Sequence, residues 1–134
     1  MLGGPVEDDE EARDALRREL LEESSFDRAA LPSPPRLRFL QDQETPRPGG
    51  SGPFPRRHLV FTAHLPDHLV EAVARTEQDN IDQAPVVWRS AADAVGRHLH
   101  PAIGDALDQV TRPGTTTGGP LLLRALTGAS YQRR

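Results

Sequence analysis

Three glutamates, Glu19, Glu22 and Glu23, are the residues of this chain whose type and spacing point most directly to chemistry. They stand at i, i+3 and i+4, so on a helix their carboxylates share one face. Each like-charged pair at that spacing costs an isolated helix roughly 0.2–0.5 kcal/mol. On a helical wheel Ala12, Ala15 and Leu16 fall in the same sector, with Arg13 and Arg17 largely opposite. The carboxylates therefore lie beside the face that should pack, where they need a counter-ion. A hard divalent cation with oxygen ligands meets that need. A solvated acidic helix is the plainer reading of the same three residues, and only a wider pattern can displace it.

The elements that must position these side chains follow from local composition. Asp9–Glu23 is rich in Ala, Leu, Arg and Glu with no Gly or Pro, which predicts a helix. Asp8 with Glu11 resembles a capping box, and Ser24, Ser25 and the prolines at 32, 34 and 35 end the segment. Arg36–Gln43 predicts a strand in which Leu37 and Phe39 alternate against Arg36, Arg38 and Leu40. Thr45–Arg57 reads as a Pro/Gly-rich loop, and His58–Leu65 as the strongest strand. Asp67–Arg75 suits a helical turn or an irregular strand equally. Pro85–Arg89, which contains Trp88, predicts a short strand; Ala91–Arg97 predicts a helix and Pro101–Val110 a last amphipathic helix on Ile103, Leu107 and Val110. From Thr111 onward, through the low-complexity run Thr115–Gly119, the chain reads as a mobile tail. There is no internal repeat.

Composition narrows the class. A chain of 134 residues holds one domain, and 36% apolar content with 13 prolines and 11 glycines implies much loop. The absence of cysteine excludes disulfides, thiolate metal sites and thiol nucleophiles. No apolar run approaches a membrane span and the opening residues are unlike a signal peptide, so the cytoplasm is the expected compartment and no membrane partner is expected. Of the 20 acidic residues, ten lie within the first 27 positions, beside three arginines. That distribution argues against specific nucleic-acid binding. It would also repel a phosphate unless a metal ion stood between them. The basic side chains are all Arg, a bias from which nothing functional follows.

The wider pattern is Gly4, five residues, Glu10, seven residues, then Arg18-Glu19-Leu20, one residue, Glu22-Glu23, two residues and Phe26. It resembles the signature of the Nudix family, matching eight positions, with Ser25 standing where the family has Gly. The resemblance implies an α/β fold, a Nudix-type α/β/α sandwich with a mixed sheet, in a loop–helix–loop that binds Mg²⁺ (or Mn²⁺) and positions a diphosphate. It implies that Glu22 and Glu23 are principal metal ligands and that Glu19 is a ligand, a water-activating base, or both. Arg18 and Glu10 match a pair that holds the loop and orients the catalytic glutamate, and the Gly3 carbonyl matches a further ligand. Members often add one more acid from a later loop; Glu77 and Asp79 are candidates, with Glu44 third, and a surface acid is the plainer reading of each. A Ser at position 25 would cost on the order of 1 kcal/mol if the glycine turn is kept, so a slightly altered turn with the ligands retained is expected.

The implied layout is a Nudix domain over residues 1–111 and a flexible tail over 112–134. The family places several strands before its box, whereas three residues precede Gly4 here. The resemblance therefore implies a domain missing its N-terminal strands, read as a late start codon, a remnant, or a sheet completed by a partner. Unpaired strand edges would favour association, with a homodimer as the candidate assembly. The implied reaction is Mg²⁺-dependent hydrolysis of a pyrophosphate bond in a nucleoside diphosphate linked to another moiety. The competing reading is an inactive Nudix-fold remnant acting as a binding or regulatory module; a third is an acidic helix used only as a protein contact. Residues that would select the nucleoside cannot be named from the sequence. His58, His64 and His68 lack trustworthy metal-ligand spacing, and His98 and His100, two apart, share a face only in an extended segment and read better as a surface loop. The Arg47–Arg57 loop could close over a phosphate through Arg47, Arg56 or Arg57, but it lacks a P-loop ending and reads better as a plain loop.

Overall fold

The structure is a computed structural model, and it describes residues 3–24, 26–46, 49, 52–78, 88–95, 97, 99, 101–111 and 118–127. The chain divides into two compact units: Met1–Arg36 with Ala63–Trp88, and Leu37–Thr62 with Arg89–Arg134. No helix is long and apolar enough to cross a membrane among the described residues.

The first unit is helical. Helix α1 spans Ala12–Ser24 and is followed by a 3₁₀ turn at Arg28–Ala30. The helix starts three residues later than Asp9, and the predicted Asp8/Glu11 capping box does not form. Asp9 takes a left-handed conformation (φ 67°), which Asp tolerates better than most residues but which no α-helix can contain. The Glu10 N–H closes a turn onto the Glu7 carbonyl at 3.2 Å, while the Glu10 carboxylate accepts from the Glu7 N–H at 3.1 Å. Only the return half of a capping box thus occurs, one residue earlier, from the Glu10 carboxylate to the Glu7 N–H, in the turn before the helix. Glu11 supplies the first helical acceptor, to Asp14 and Ala15. Ala15 and Phe26 are buried, and Arg13 and Arg17 are on the exposed side as the wheel predicts. The C-terminal end closes with Ser24 Oγ donating to the Leu20 carbonyl at 2.6 Å and the Phe26 N–H returning to the same carbonyl at 3.2 Å. The predicted departure at Ser25 lies outside the described residues. The ambiguous segment at 67 is resolved as helix α2, Asp67–Gln78; it buries Val73 and packs against α1.

The second unit contains a mixed three-stranded sheet. Strand β1 is Arg36–Pro46, β2 is Pro53–Thr62 and β3 is Leu121–Thr127, in the order β2-β1-β3. The short connection between β1 and β2 permits only an antiparallel pair. Cross-strand contacts agree, since Asp42 meets Arg57, Gln43 meets His58 and Arg38 meets Thr62. Strand β3 runs parallel to β1, with Phe39 opposite Leu121, Gln41 opposite Leu123 and an irregularity between Gln41 and Gln43.

The loop predicted over Thr45–Arg57 is mostly strand, because β2 begins at Pro53 and stops at Thr62 rather than running from His58 to Leu65. Proline cannot donate to a ladder, yet Pro53 and Pro55 are tolerated because β2 is an edge of this sheet, where every second N–H needs no partner. The chain beyond Thr111 is not tail throughout, because the apolar run from Leu121 forms β3.

Along β1 the residues 39, 41 and 43 are buried while their neighbours are partly exposed, the period-two pattern expected of a half-buried strand. Phe39 and Ile103 are the largest apolar side chains fully enclosed. Gln41 is enclosed with them and satisfied at both ends: its Nε2 donates to the Arg124 carbonyl at 3.1 Å and its Oε1 accepts from the Ala102 N–H at 2.8 Å. It ties β1 to β3 and to the segment before the last helix. Helix α3 is shorter than predicted, Ala91–Ala94, with Ser90 accepting from the Asp93 N–H at its start. Helix α4, Gly104–Thr111, packs against it so closely that a side chain at Gly104 would meet the Ala94 carbonyl. Of the predicted strand at Pro85–Arg89, residues 85–87 lie outside the described set, and Trp88 is exposed and not in a strand.

Candidate active site

The acidic box lies wholly within the first unit, on the loop from Gly3 and on α1. Arg18 is its centre. The guanidinium presents its Nε and Nη2 as a fork to Glu10, at 3.1 and 2.9 Å, and Nη2 also donates to the Pro5 carbonyl. Its remaining nitrogen, Nη1, lies 2.5 Å from Glu19 Oε1 and 3.6 Å from Glu22 Oε2. One cation thus holds three carboxylates and the loop backbone. This bidentate geometry is the strong form of the Arg–carboxylate contact. It holds the Glu10 carboxyl below its usual range, helped by the Glu7 N–H, and holds the Arg18 guanidinium further above its already high one.

Glu19 is buried although it is an acid, with 8% of its surface exposed. Its carboxylate occupies the space a side chain at Gly4 would fill, since a β-carbon built there would overlap Glu19 Oε1, Cδ and Oε2. Gly4 is thus required by close approach, a role that sequence reasoning left unassigned and that the box's leading glycine could have suggested. Glu23 is tied in from the other side: its Oε2 accepts from the Gly3 N–H at 2.8 Å, across 20 residues of sequence. Glu22 is the most open of the three, with 61% of its side chain exposed.

The structure therefore brings together Gly3, Glu10, Arg18, Glu19, Glu22 and Glu23. The later acids stand as follows. Glu77 lies on α2, its side chain outside the described residues as is Asp79, and Glu44 is an exposed residue of β1. His58 lies on β2 with its Nε2 2.8 Å from Gln43 Oε1, and His64 and His68 are exposed; His98, His100 and Arg47 are outside the described set. Arg56 and Arg57 are on β2 rather than in a loop. Arg57 is committed to Asp42 at 2.6 and 2.8 Å, and Arg56 lies over the Phe54 ring.

The donor set fits a hard divalent cation in kind. It is all oxygen, it carries excess negative charge, and a backbone strap at Gly3 and Gly4 runs beside two of the carboxylates. Among the described residues, no three acidic or histidine side chains already converge on one point. Arg18 Nη1 instead lies against the carboxylates of Glu19 and Glu22.

A family model, the NUDIX domain, matches residues 1–110, most of the chain. No curated protein and no solved structure matches it.

Proposed function

This chain belongs to the Nudix family, and we propose that it hydrolyses a pyrophosphate bond in a nucleoside diphosphate linked to another moiety, with Mg²⁺ or Mn²⁺ as cofactor. Pyrophosphate hydrolysis assisted by a divalent metal is the family's general chemistry. The observation that supports the finer reading is the joining of box positions far apart in sequence: Arg18 links Glu10 to Glu19, while Gly3 binds Glu23.

Glu19, Glu22, Glu23 and the Gly3 carbonyl would hold the cation. When bound, such an ion neutralises the diphosphate and makes water more acidic. The chain's own residues do the positioning. Arg18 takes Oε1 of Glu19, leaving Oε2 to receive a proton from the attacking water. Gly4 fixes that carboxylate by leaving room for it, and Glu10 fixes Arg18. The water oxygen bonds to phosphorus, the bridging P–O bond breaks, and the departing phosphate takes the electron pair. The site's dense negative charge accounts for a cation requirement, because an uncompensated carboxylate cluster would repel the substrate.

The test is a panel of nucleoside diphosphate compounds incubated with the chain and Mg²⁺ in H₂¹⁸O. We expect at least one compound to be split into two phosphate-bearing products, one of them labelled. No cleavage across the panel with either metal would overturn the reading.

A further inference from the structure

The fork of Arg18 divides its partners into two kinds. The Nε/Nη2 edge makes two well-formed bonds to Glu10 and one to the Pro5 carbonyl, whereas the single nitrogen Nη1 is shared between Glu19 and the more exposed Glu22. Glu10 is an anchor, and the Nη1 side stands where a cation's charge would be needed.

We propose that Arg18 is a built-in counter-ion that competes with the divalent cation for Glu19 and Glu22, so that its charge sets how weakly the site holds metal. The inference rests on the metal-site reading above and concerns the affinity of that site. Two positive groups facing the same carboxylates repel one another, and each reduces the other's gain. Without metal, Arg18 offsets the repulsion among Glu10, Glu19 and Glu22. With metal, the same charge becomes a penalty. Glu10 moderates that penalty by keeping the guanidinium turned toward the loop.

This arrangement predicts opposite signs for two variants that break the same ion pair. Arg18→Gln removes the competing charge and should tighten Mn²⁺ binding by up to about tenfold, a Coulomb effect of a unit charge on a dication at several ångströms in a well-screened site. Glu10→Gln releases Arg18 to Glu19 and Glu22 and should weaken Mn²⁺ binding severalfold. If Arg18 only held the loop in shape, both variants would weaken binding together.

The experiment is titration with Mn²⁺ alone, read by the free-ion electron paramagnetic resonance signal. Thermal melts without metal check that each variant unfolds cooperatively, and Arg18→Met replaces Arg18→Gln where the latter does not. Tighter binding in the neutral Arg18 variant together with weaker binding in Glu10→Gln supports the proposal. Equal or weaker binding in the neutral Arg18 variant overturns it while leaving the metal site intact. Absence of saturable Mn²⁺ binding in the wild-type chain and in every variant would instead overturn the metal-site reading itself.

Discussion

Among the described residues two arginine–carboxylate forks occur, one in the acidic box and one on the β1–β2 hairpin. Arg57 and Asp42 face one another across two strands, with 59% and 44% of their side chains exposed. They form one pair between neighbours. Arg18 is less exposed, at 26%, and distributes its nitrogens over Glu10, Glu19, Glu22 and a backbone carbonyl. The local chemistry is the same and the consequence is not. On the hairpin the fork decorates strands that other contacts already order. In the box it joins a loop to a helix whose own carboxylates repel one another, and so it defines the arrangement. The Arg18 fork shares that task with the Gly3–Glu23 hydrogen bond, whereas the Arg57 fork adds one more contact to strands already paired.

That contrast can be broken or sharpened by mutation. The largest effect should fall on the packing that orders the sheet. Phe39 is fully buried, and Phe39→Ala should destabilise the fold by about 3–5 kcal/mol, measured by urea unfolding. A loss below about 1 kcal/mol would mean that Phe39 is not the centre of that unit.

Next in size is Gly4→Ala. Its added carbon overlaps the Glu19 carboxylate, so the fold should lose about 1–3 kcal/mol while Glu19 is displaced. Turnover should fall further than stability explains, and equal turnover in the variant would detach Glu19 from the reaction.

Acid titration comes third. The Glu10 carboxyl is held below its ordinary value of about 4.5 by Arg18 and then by the Glu7 N–H. A lowered folded pKa means that the stabilisation is complete above about pH 4.5 and is lost as pH falls through the lower folded value. Thermal melts across that range should lose stability less steeply in Glu10→Gln than in the wild type. An unchanged slope would separate the network from stability.

The smallest effect belongs to the hairpin fork. Asp42→Ala should change stability by less than about 1 kcal/mol, as expected of an exposed pair. A larger loss would erase the difference between the two forks.

How much of this was legible in the sequence depends on whether the signal was local. The box was, because fixed spacing specifies its residues and the i, i+3, i+4 glutamates imply a shared face on α1. The helix start was not, because Glu10 looks like a helix former, yet its side chain serves the Glu7 turn and Arg18. Strand β2 was placed too late because Pro53 and Pro55 read as breakers, and only the pairing order reveals that β2 is an edge. Strand β3 was missed although Leu121-Leu122-Leu123 is a clear apolar run. Its partner β1 lies some 80 residues earlier, with Gln41 bonded to the Arg124 carbonyl across 83 positions, and no local pattern encodes that parallel pairing. Gln41 itself looks like a surface residue until both of its partners are seen.

The central claim is that the glutamates of α1 form a metal-dependent hydrolytic site. Its most direct test is Mg²⁺-dependent turnover of a cleaved nucleoside diphosphate compound by Glu22→Gln and Glu23→Gln, each compared with the wild type and checked for an unchanged thermal melt. Turnover should be abolished in both variants while the fold is retained. Wild-type turnover in both would contradict it.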